Sequence, residues 1–344
     1  MTKKSKAVFI IGMHRSGTSA VTRSINLLGV YLGEDTAFVT QHSDNPLGYW
    51  ERSDIVNFNG RLLDQMKKDW NTVAPLPEEW HKSDEIKPFR DELVEFIKNN
   101  FSDHQLWAWK DPRISLLLPI WKDALDELGI RSSIVFVIRN PLDVAKSLNK
   151  RDGFSYDKSF GIWFNYTTTA FQNLSNLTYT FIHYDRLIHD WESELRRCSS
   201  VLDIPWPNDD SQLRKNMNEF IRPDLRHSFS GMNELKSANA PRPVIKLYEL
   251  LLKTTESPQP NKELNSVIGR LSSEFYSYAR FFQFDMDRLW ENGQELAELD
   301  MRLFKKHQQI EALLTSYSWK VTKPLRRLIA IYKKALGYNN IQSS

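Results

Sequence analysis

Cysteine is almost absent. Cys198 stands alone in 344 residues, which excludes an intrachain disulfide and a cysteine-built zinc cluster and fits a reducing compartment. Long apolar runs are missing as well. No segment approaches the ~20 apolar residues needed to span a bilayer, and the run at 7–11 is too short for the core of a signal peptide. A dominant charge is also lacking: Lys and Arg number 46 against 43 Asp and Glu, a formal net charge of +3 that is too weak to argue for nucleic acid. These absences leave a cytoplasmic chain, soluble or peripheral at the inner face of a membrane, with no nucleic-acid partner. What is there is 41% hydrophobic residues, enough for a sizeable core.

The apolar residues are arranged as alternating strand and helix patterns. Runs at 7–11, 106–109, 133–138 and 178–184 are short, β-rich and bounded by polar loops, as in strands buried on both faces. Helical patterns occupy 20–28, 53–68, 86–99, 115–129, 142–150 and 160–173. Asn140 followed by Pro141 predicts a helix start, since Asn caps and Pro suits the first helical position. Alternating β and α predicts an α/β fold: a P-loop-type parallel sheet flanked by helices. Past about residue 205 the strand signal fades, and the C-terminal extension reads as mostly helical. The expected organisation is a domain over 1–284, with a nucleotide-binding core at about 7–205 and a helical remainder at about 206–284. An amphipathic helix or short coiled coil follows over 285–315, then a basic tail over 316–344.

In the 285–315 segment Leu289, Leu296, Leu303 and Ile310 recur every seven residues, joined by Leu299 and Leu313. Two readings stand: a helix packing on its own domain, or a coiled coil joining two copies. Asn292 and Lys306 at intervening seam positions favour the first. Residues 316–338 carry six Lys or Arg and no Asp or Glu. That composition suits a membrane-surface helix or a solvated basic tail.

The loop between the first strand and the first helix carries the most chemistry. Gly12-Met13-His14-Arg15-Ser16-Gly17-Thr18-Ser19 fits the G-x-x-x-x-G frame of a P-loop. Backbone amides at such a turn, backed by a helix N-terminus, attract phosphate-like oxygens. The lysine that serves ATP is missing, and Arg15 supplies the cation. A plain glycine-rich turn is the bland alternative. A dehydrogenase fingerprint, G-x-G-x-x-G with a ribose-binding acid, is not found.

Arg15-Ser16-Gly17-Thr18-Ser19 after a strand resembles the 5′-phosphosulfate loop of sulfotransferases that use PAPS (3′-phosphoadenosine 5′-phosphosulfate). Its Arg form is similar to that of carbohydrate and tyrosylprotein sulfotransferases. Arg139-Asn140-Pro141 through Ser147 resembles the 3′-phosphate motif of the same superfamily. The resemblance implies that Gly12, His14, Arg15, Ser16, Gly17, Thr18 and Ser19 hold one end of the donor and Arg139 and Ser147 the other. It covers residues 7–190 and implies PAPS as co-substrate and PAP (3′-phosphoadenosine 5′-phosphate) as product. No metal is expected, because fixed cations can do the work of magnesium.

Sulfuryl transfer needs a base for the acceptor hydroxyl and a cation for the leaving oxygen. Lys110 sits at a strand end, where ligands of open α/β sheets collect. Lys110-Asp111-Pro112 resembles a segment of tyrosylprotein and bacterial sulfotransferases whose lysine lies at the sulfuryl group. The bland alternative is a surface pair between Lys110 and Asp111. Arg113 adds charge or binds an acidic acceptor. Asn45-Pro46-Leu47-Gly48-Tyr49-Trp50-Glu51 looks like a bacterial sulfotransferase segment, which makes Glu51 the candidate base. His42 rivals it on intrinsic pKa, and His14 can face donor or acceptor. Catalytic roles thus fall to Lys110, Glu51 and Arg15. The tail beginning Ser316-Tyr317-Ser318-Trp319 resembles a segment at the ends of bacterial glycosyltransferases, which implies a glycan or lipid-linked glycan acceptor. A P-loop kinase or hydrolase, and a non-catalytic PAP-binding scaffold, are the competing readings.

Overall fold

The computed structural model describes residues 5–34, 38–39, 48–221, 228–255, 262–281 and 283–335. Its elements in chain order begin with β1 (Lys6–Ile11), α1 (Thr18–Leu27), α2 (Ser53–Gln65), α3 (Lys87–Phe101), β2 (Leu106–Lys110) and α4 (Ile114–Glu127). They continue with β3 (Arg131–Ile138), α5 (Pro141–Asp152), α6 (Tyr156–Gln172), β4 (Thr178–His183), α7 (Tyr184–His189) and α8 (Trp191–Leu202). The helical remainder comprises α9 (Ser211–Phe220), α10 (Met232–Ser237), α11 (Arg242–Thr255), α12 (Lys262–Phe281), α13 (Gln283–Thr315), α14 (Tyr317–Val321) and α15 (Lys323–Ala335).

The four strands pair in parallel in the order β2-β1-β3-β4. This is the predicted α/β sheet with helices on both faces. Because side chains alternate along a strand, β1 feeds two cores. Ala7, Phe9 and Ile11 face a layer built with α2, α3, α4 and α6, while Val8 and Ile10 face α1 and α8. The first layer is rich in aromatics. Trp109 stacks on Trp107 at 4.6 Å and meets the edge of Trp121 at 4.5 Å and Phe9 at 5.7 Å. Trp107 and Trp80, near candidate acceptor segments in sequence, are core residues. The second layer encloses Cys198, whose thiol is pushed up to about 12 by burial and is therefore inert.

The parallel order has one consequence for function. The carboxyl ends of β1, β2 and β3 all point the same way, so residues 12–19, Lys110 and Arg139 emerge on one edge. Asn140 caps α5 as expected, accepting from the amide of Leu142 at 2.9 Å. β4 ends one residue earlier than the sequence predicts. The ring of His183 accepts from the amide of Asp185 at 3.3 Å and starts α7 at Tyr184.

The chain divides into two compact units, Met1–Gln283 and Phe284–Ser344. In the second, Leu289, Leu296, Leu303 and Ile310 of α13 are between 53% and 66% exposed. Among the described residues no helix is long and apolar enough to cross a membrane.

Phe9 lies on a central strand with no exposed surface and touches two tryptophans. Phe9→Ala should lower the unfolding free energy by about 3–5 kcal/mol, measured from the urea midpoint. A loss below about 1 kcal/mol would contradict this packing.

Candidate functional site

The loop that follows β1 is shaped by two glycines. Gly12 has φ 141°, and a Cβ there would sit 2.6 Å from the carbonyl oxygen of Val137. Gly17 has φ 88°, and its Cβ would fall 2.1 Å from the ring of Tyr184. No side chain fits either place. Arg15 between them also takes a left-handed backbone, φ 66°. Such turns curl the chain so that successive amides face one concavity. Ser115 pins the loop's start, accepting from the amide of Gly12 at 3.0 Å. Gly17 caps α1 without a side-chain bond, which leaves first-turn amides without an intrahelical acceptor.

The second motif meets this loop directly. Arg139, at the end of β3, donates from Nη1 to the carbonyl of Arg15 at 2.8 Å. Arg15 in turn donates from Nε to Oγ of Ser147 at 2.8 Å. The guanidinium of Arg139 lies over the Tyr184 ring, 4.7 Å from its centroid. Arg15, Ser147 and Arg139 therefore share one hydrogen-bonded cluster, although 132 residues separate the first two in sequence. Among the described residues, Nε of Arg139, Oγ of Ser16 and Nε2 of His14 are buried without a hydrogen-bond partner. Unpartnered buried donors are costly, and together they mark a place for acceptor oxygens. Donors of this kind fit phosphate or sulfate groups.

Lys110 is the last residue of β2 and almost fully buried. Its Nζ donates to Oγ of Ser19 at 3.1 Å, to the carbonyl of Tyr49 at 2.9 Å and to the carboxylate of Glu51. The segment carrying Glu51 is held by a bridge between Phe38 and Arg52, with the Val39 amide donating to the Glu51 carbonyl at 2.8 Å. Burial raises the pKa of Glu51; Lys110 opposes that shift and Asp111 adds to it. The surface pair of Lys110 with Asp111 is not formed. Asp111 is buried and turns the other way, accepting from Asn59 at 2.9 Å and from Arg113 Nη1 at 3.0 Å. Asn59 accepts from Trp121 at 3.0 Å, so the network is anchored in the aromatic core. A carboxylate this buried is tolerated because its oxygens are bonded.

His14 lies against Trp70 at 4.7 Å and Tyr166 at 5.7 Å. Its pKa falls well below the usual histidine range, through burial first and then the positive fields of Arg113, Arg151, Lys110 and Arg15. The ring is neutral, so it serves as a hydrogen-bonding group and not as a cation. Trp70 stacks on Phe154 and carries Arg151 over its face at 5.1 Å.

The structure thus gathers Gly12, His14, Arg15, Ser16, Gly17, Thr18, Ser19, Lys110, Arg139 and Ser147 at one edge of the sheet, with Glu51 on Lys110 and Arg113 on Asp111. His42 and residues 45–47 lie outside the described residues. Sequence reasoning missed Asn59, Ser115, Tyr184 and Arg151 as parts of this neighbourhood. Tyr184 opens α7, directly after β4. A cavity of about 470 Å³ adjoins this cluster, lined by His183, Asp185, Arg186, Glu194, Ser230 and Tyr248, and its Ser230 carbonyl accepts from Asn140, the residue after Arg139.

The profile described as "Sulfotransferase family" matches residues 7–208, more than half of the chain. A search of the curated proteins finds no match. Among solved structures the chain is similar to the "Sulfotransferase Domain from the Curacin Biosynthetic Pathway", at 15% identity and TM-score 0.38, covering 79% of this chain and 98% of that one. It is also similar to the "Sulfotransferase Domain from the Synechococcus PCC 7002 Olefin Synthase", at 16% identity and TM-score 0.37, covering 79% and 95% respectively. From the match that begins on β1 and runs through the loop, Lys110 and Arg139, the chain belongs to the sulfotransferase family.

Proposed function

We propose that this sulfotransferase takes its sulfuryl group from PAPS and delivers it to a hydroxyl of a carbohydrate or lipid-linked glycan. The observation that carries the donor assignment is the Arg139–Arg15–Ser147 cluster with its unpartnered buried donors. Arg15, Ser16 and the first-turn amides of α1 would hold the 5′ end. Arg139 and Ser147 would hold the 3′-phosphate. A guanidinium suits that task because it presents parallel donors to two oxygens. When bound, PAPS would supply the sulfuryl group and depart as PAP.

The chain's own groups divide the remaining work. Glu51 accepts the proton of the acceptor hydroxyl while the new O–S bond forms and the bond to the phosphate oxygen breaks. Lys110, within reach of Ser19 at the head of α1, neutralises charge on that leaving oxygen. It also contacts Glu51, so cation and base are held in one hydrogen-bonded pair. Fixed positive charge around His14 favours an anionic donor throughout. The glycan reading draws on the resemblance of the tail to glycosyltransferase ends.

Three outcomes are expected. Labelled sulfate from PAPS should enter carbohydrate-containing material of cell-envelope extracts. PAP without metal should raise the melting temperature, and ATP with magnesium should not. PAP binding without any transfer would instead identify a scaffold, and stabilisation by ATP alone a kinase or hydrolase.

Glu51→Gln should lower kcat by on the order of 10²- to 10⁴-fold and leave PAP affinity unchanged. Unaltered turnover would remove Glu51 from the reaction.

A further prediction concerns pH. Only the carboxylate form of Glu51 accepts a proton, and burial raises its pKa, so activity should fall on acidification above the ordinary carboxylate range. A pH profile flat down to the normal carboxylate pKa would contradict this assignment.

A further inference from the structure

None of the residues assigned to sulfuryl transfer lies in the unit Phe284–Ser344. No Asp or Glu occurs after Glu311, while Lys320, Lys323, Arg326, Arg327, Lys333 and Lys334 follow in the sequence. Ser316 stops α13 and caps α14, its Oγ accepting from the amide of Trp319 at 3.2 Å. Pro324 then opens α15, where its missing N–H costs nothing.

α15 is sharply two-faced. Leu325, Leu328, Ile329 and Tyr332 follow the i, i+3, i+4, i+7 pattern and form one stripe. They are 63%, 65%, 48% and 66% exposed. Lys323, Arg326 and Arg327 fall at the opposite helical angles. Arg326 ties the two helices together, its guanidinium 3.7 Å from the Trp319 ring centroid and donating to the Trp319 carbonyl at 2.5 Å. Tyr317 and Trp319 add exposed amphipathic aromatics, the residue types that settle at the headgroup level of membranes.

We propose that α14 and α15 form a monotopic anchor, lying in the interfacial plane of a membrane that carries anionic phospholipid. The apolar stripe enters the acyl boundary and the cations meet the headgroups. Thirteen residues of helix span roughly 20 Å, short of the ~30 Å hydrocarbon core, so the segment lies on the membrane and does not cross it. Charge complementarity selects this occupant over the others. A second copy would bring its own unbalanced cations against these. A nucleic acid would satisfy the cations but leave the leucine and isoleucine side chains in water, with no gain from their periodicity.

The test is sedimentation of the full chain with vesicles of phosphatidylcholine alone and of phosphatidylcholine with phosphatidylglycerol. Binding should rise with the anionic fraction and weaken with salt. Leu325→Ser with Leu328→Ser should reduce the partition coefficient by tenfold or more, on the order of two buried leucines. Lys323→Gln with Arg327→Gln should reduce it roughly 30-fold at low salt, while the melting temperature of both variants stays at the wild-type value. The proposal is overturned if neutral and anionic vesicles bind equally, or if the serine variant partitions like wild type. It is also overturned if a duplex oligonucleotide or self-association captures the segment and vesicles do not.

Discussion

The hydrogen bond from Arg139 to the carbonyl of Arg15 joins the two halves of the site. It is possible only because β1 and β3 are adjacent and parallel, so that their carboxyl ends release both loops on one edge. Reversing either strand, or inserting another between them, would separate the guanidinium from the loop. The bond also fixes the left-handed backbone at Arg15 and brings that side chain onto Ser147. A loop with two glycines and a strained arginine would otherwise have many conformations to lose. The sheet, the glycines and Arg139 together remove them before any ligand arrives, which is how a site is preorganised.

The site is expensive in charge, and the core around it carries that cost. Lys110, Glu51, Asp111 and Arg113 are held at the sheet edge within a few residues of a tryptophan-rich layer. Each is tolerated because it is bonded: Lys110 to three oxygens, Asp111 to Asn59 and to Arg113. Removing one partner of such a pair costs about 3–5 kcal/mol. The same low-dielectric surroundings give these groups their chemical use. They raise the pKa of Glu51 towards that of a working base and keep His14 neutral among cations.

Much of this was legible in the chain itself. Continuous apolar runs gave the four strands because a doubly covered parallel sheet leaves no polar face to alternate with. Gly12 and Gly17 marked the loop because only glycine fits beside the Val137 carbonyl and the Tyr184 ring. Arg139 and Ser147 stood out through the resemblance of their segment to the 3′-phosphate motif of sulfotransferases. What could not be read was long-range partnership. Nothing in the sequence says that Asp111 turns from Lys110 to Asn59, since that depends on Trp121 holding the Asn59 amide through its indole N–H. Nor does it say that Tyr184 supports Arg139, because that contact requires β4 to end at His183. The heptad seam of α13 was visible, whereas its exposure was not.

The proposed donor site is one cradle that would read both ends of a bisphosphorylated adenosine. The most direct measurement compares calorimetric affinities of PAP and 5′-AMP for the wild type and for Arg139→Ala. The wild type should prefer PAP, and the substitution should erase most of that preference, on the order of 10- to 100-fold for a charged hydrogen-bonding partner, while 5′-AMP binding changes little. Equal weakening of both nucleotides, or a preference for PAP that survives the loss of Arg139, would contradict it.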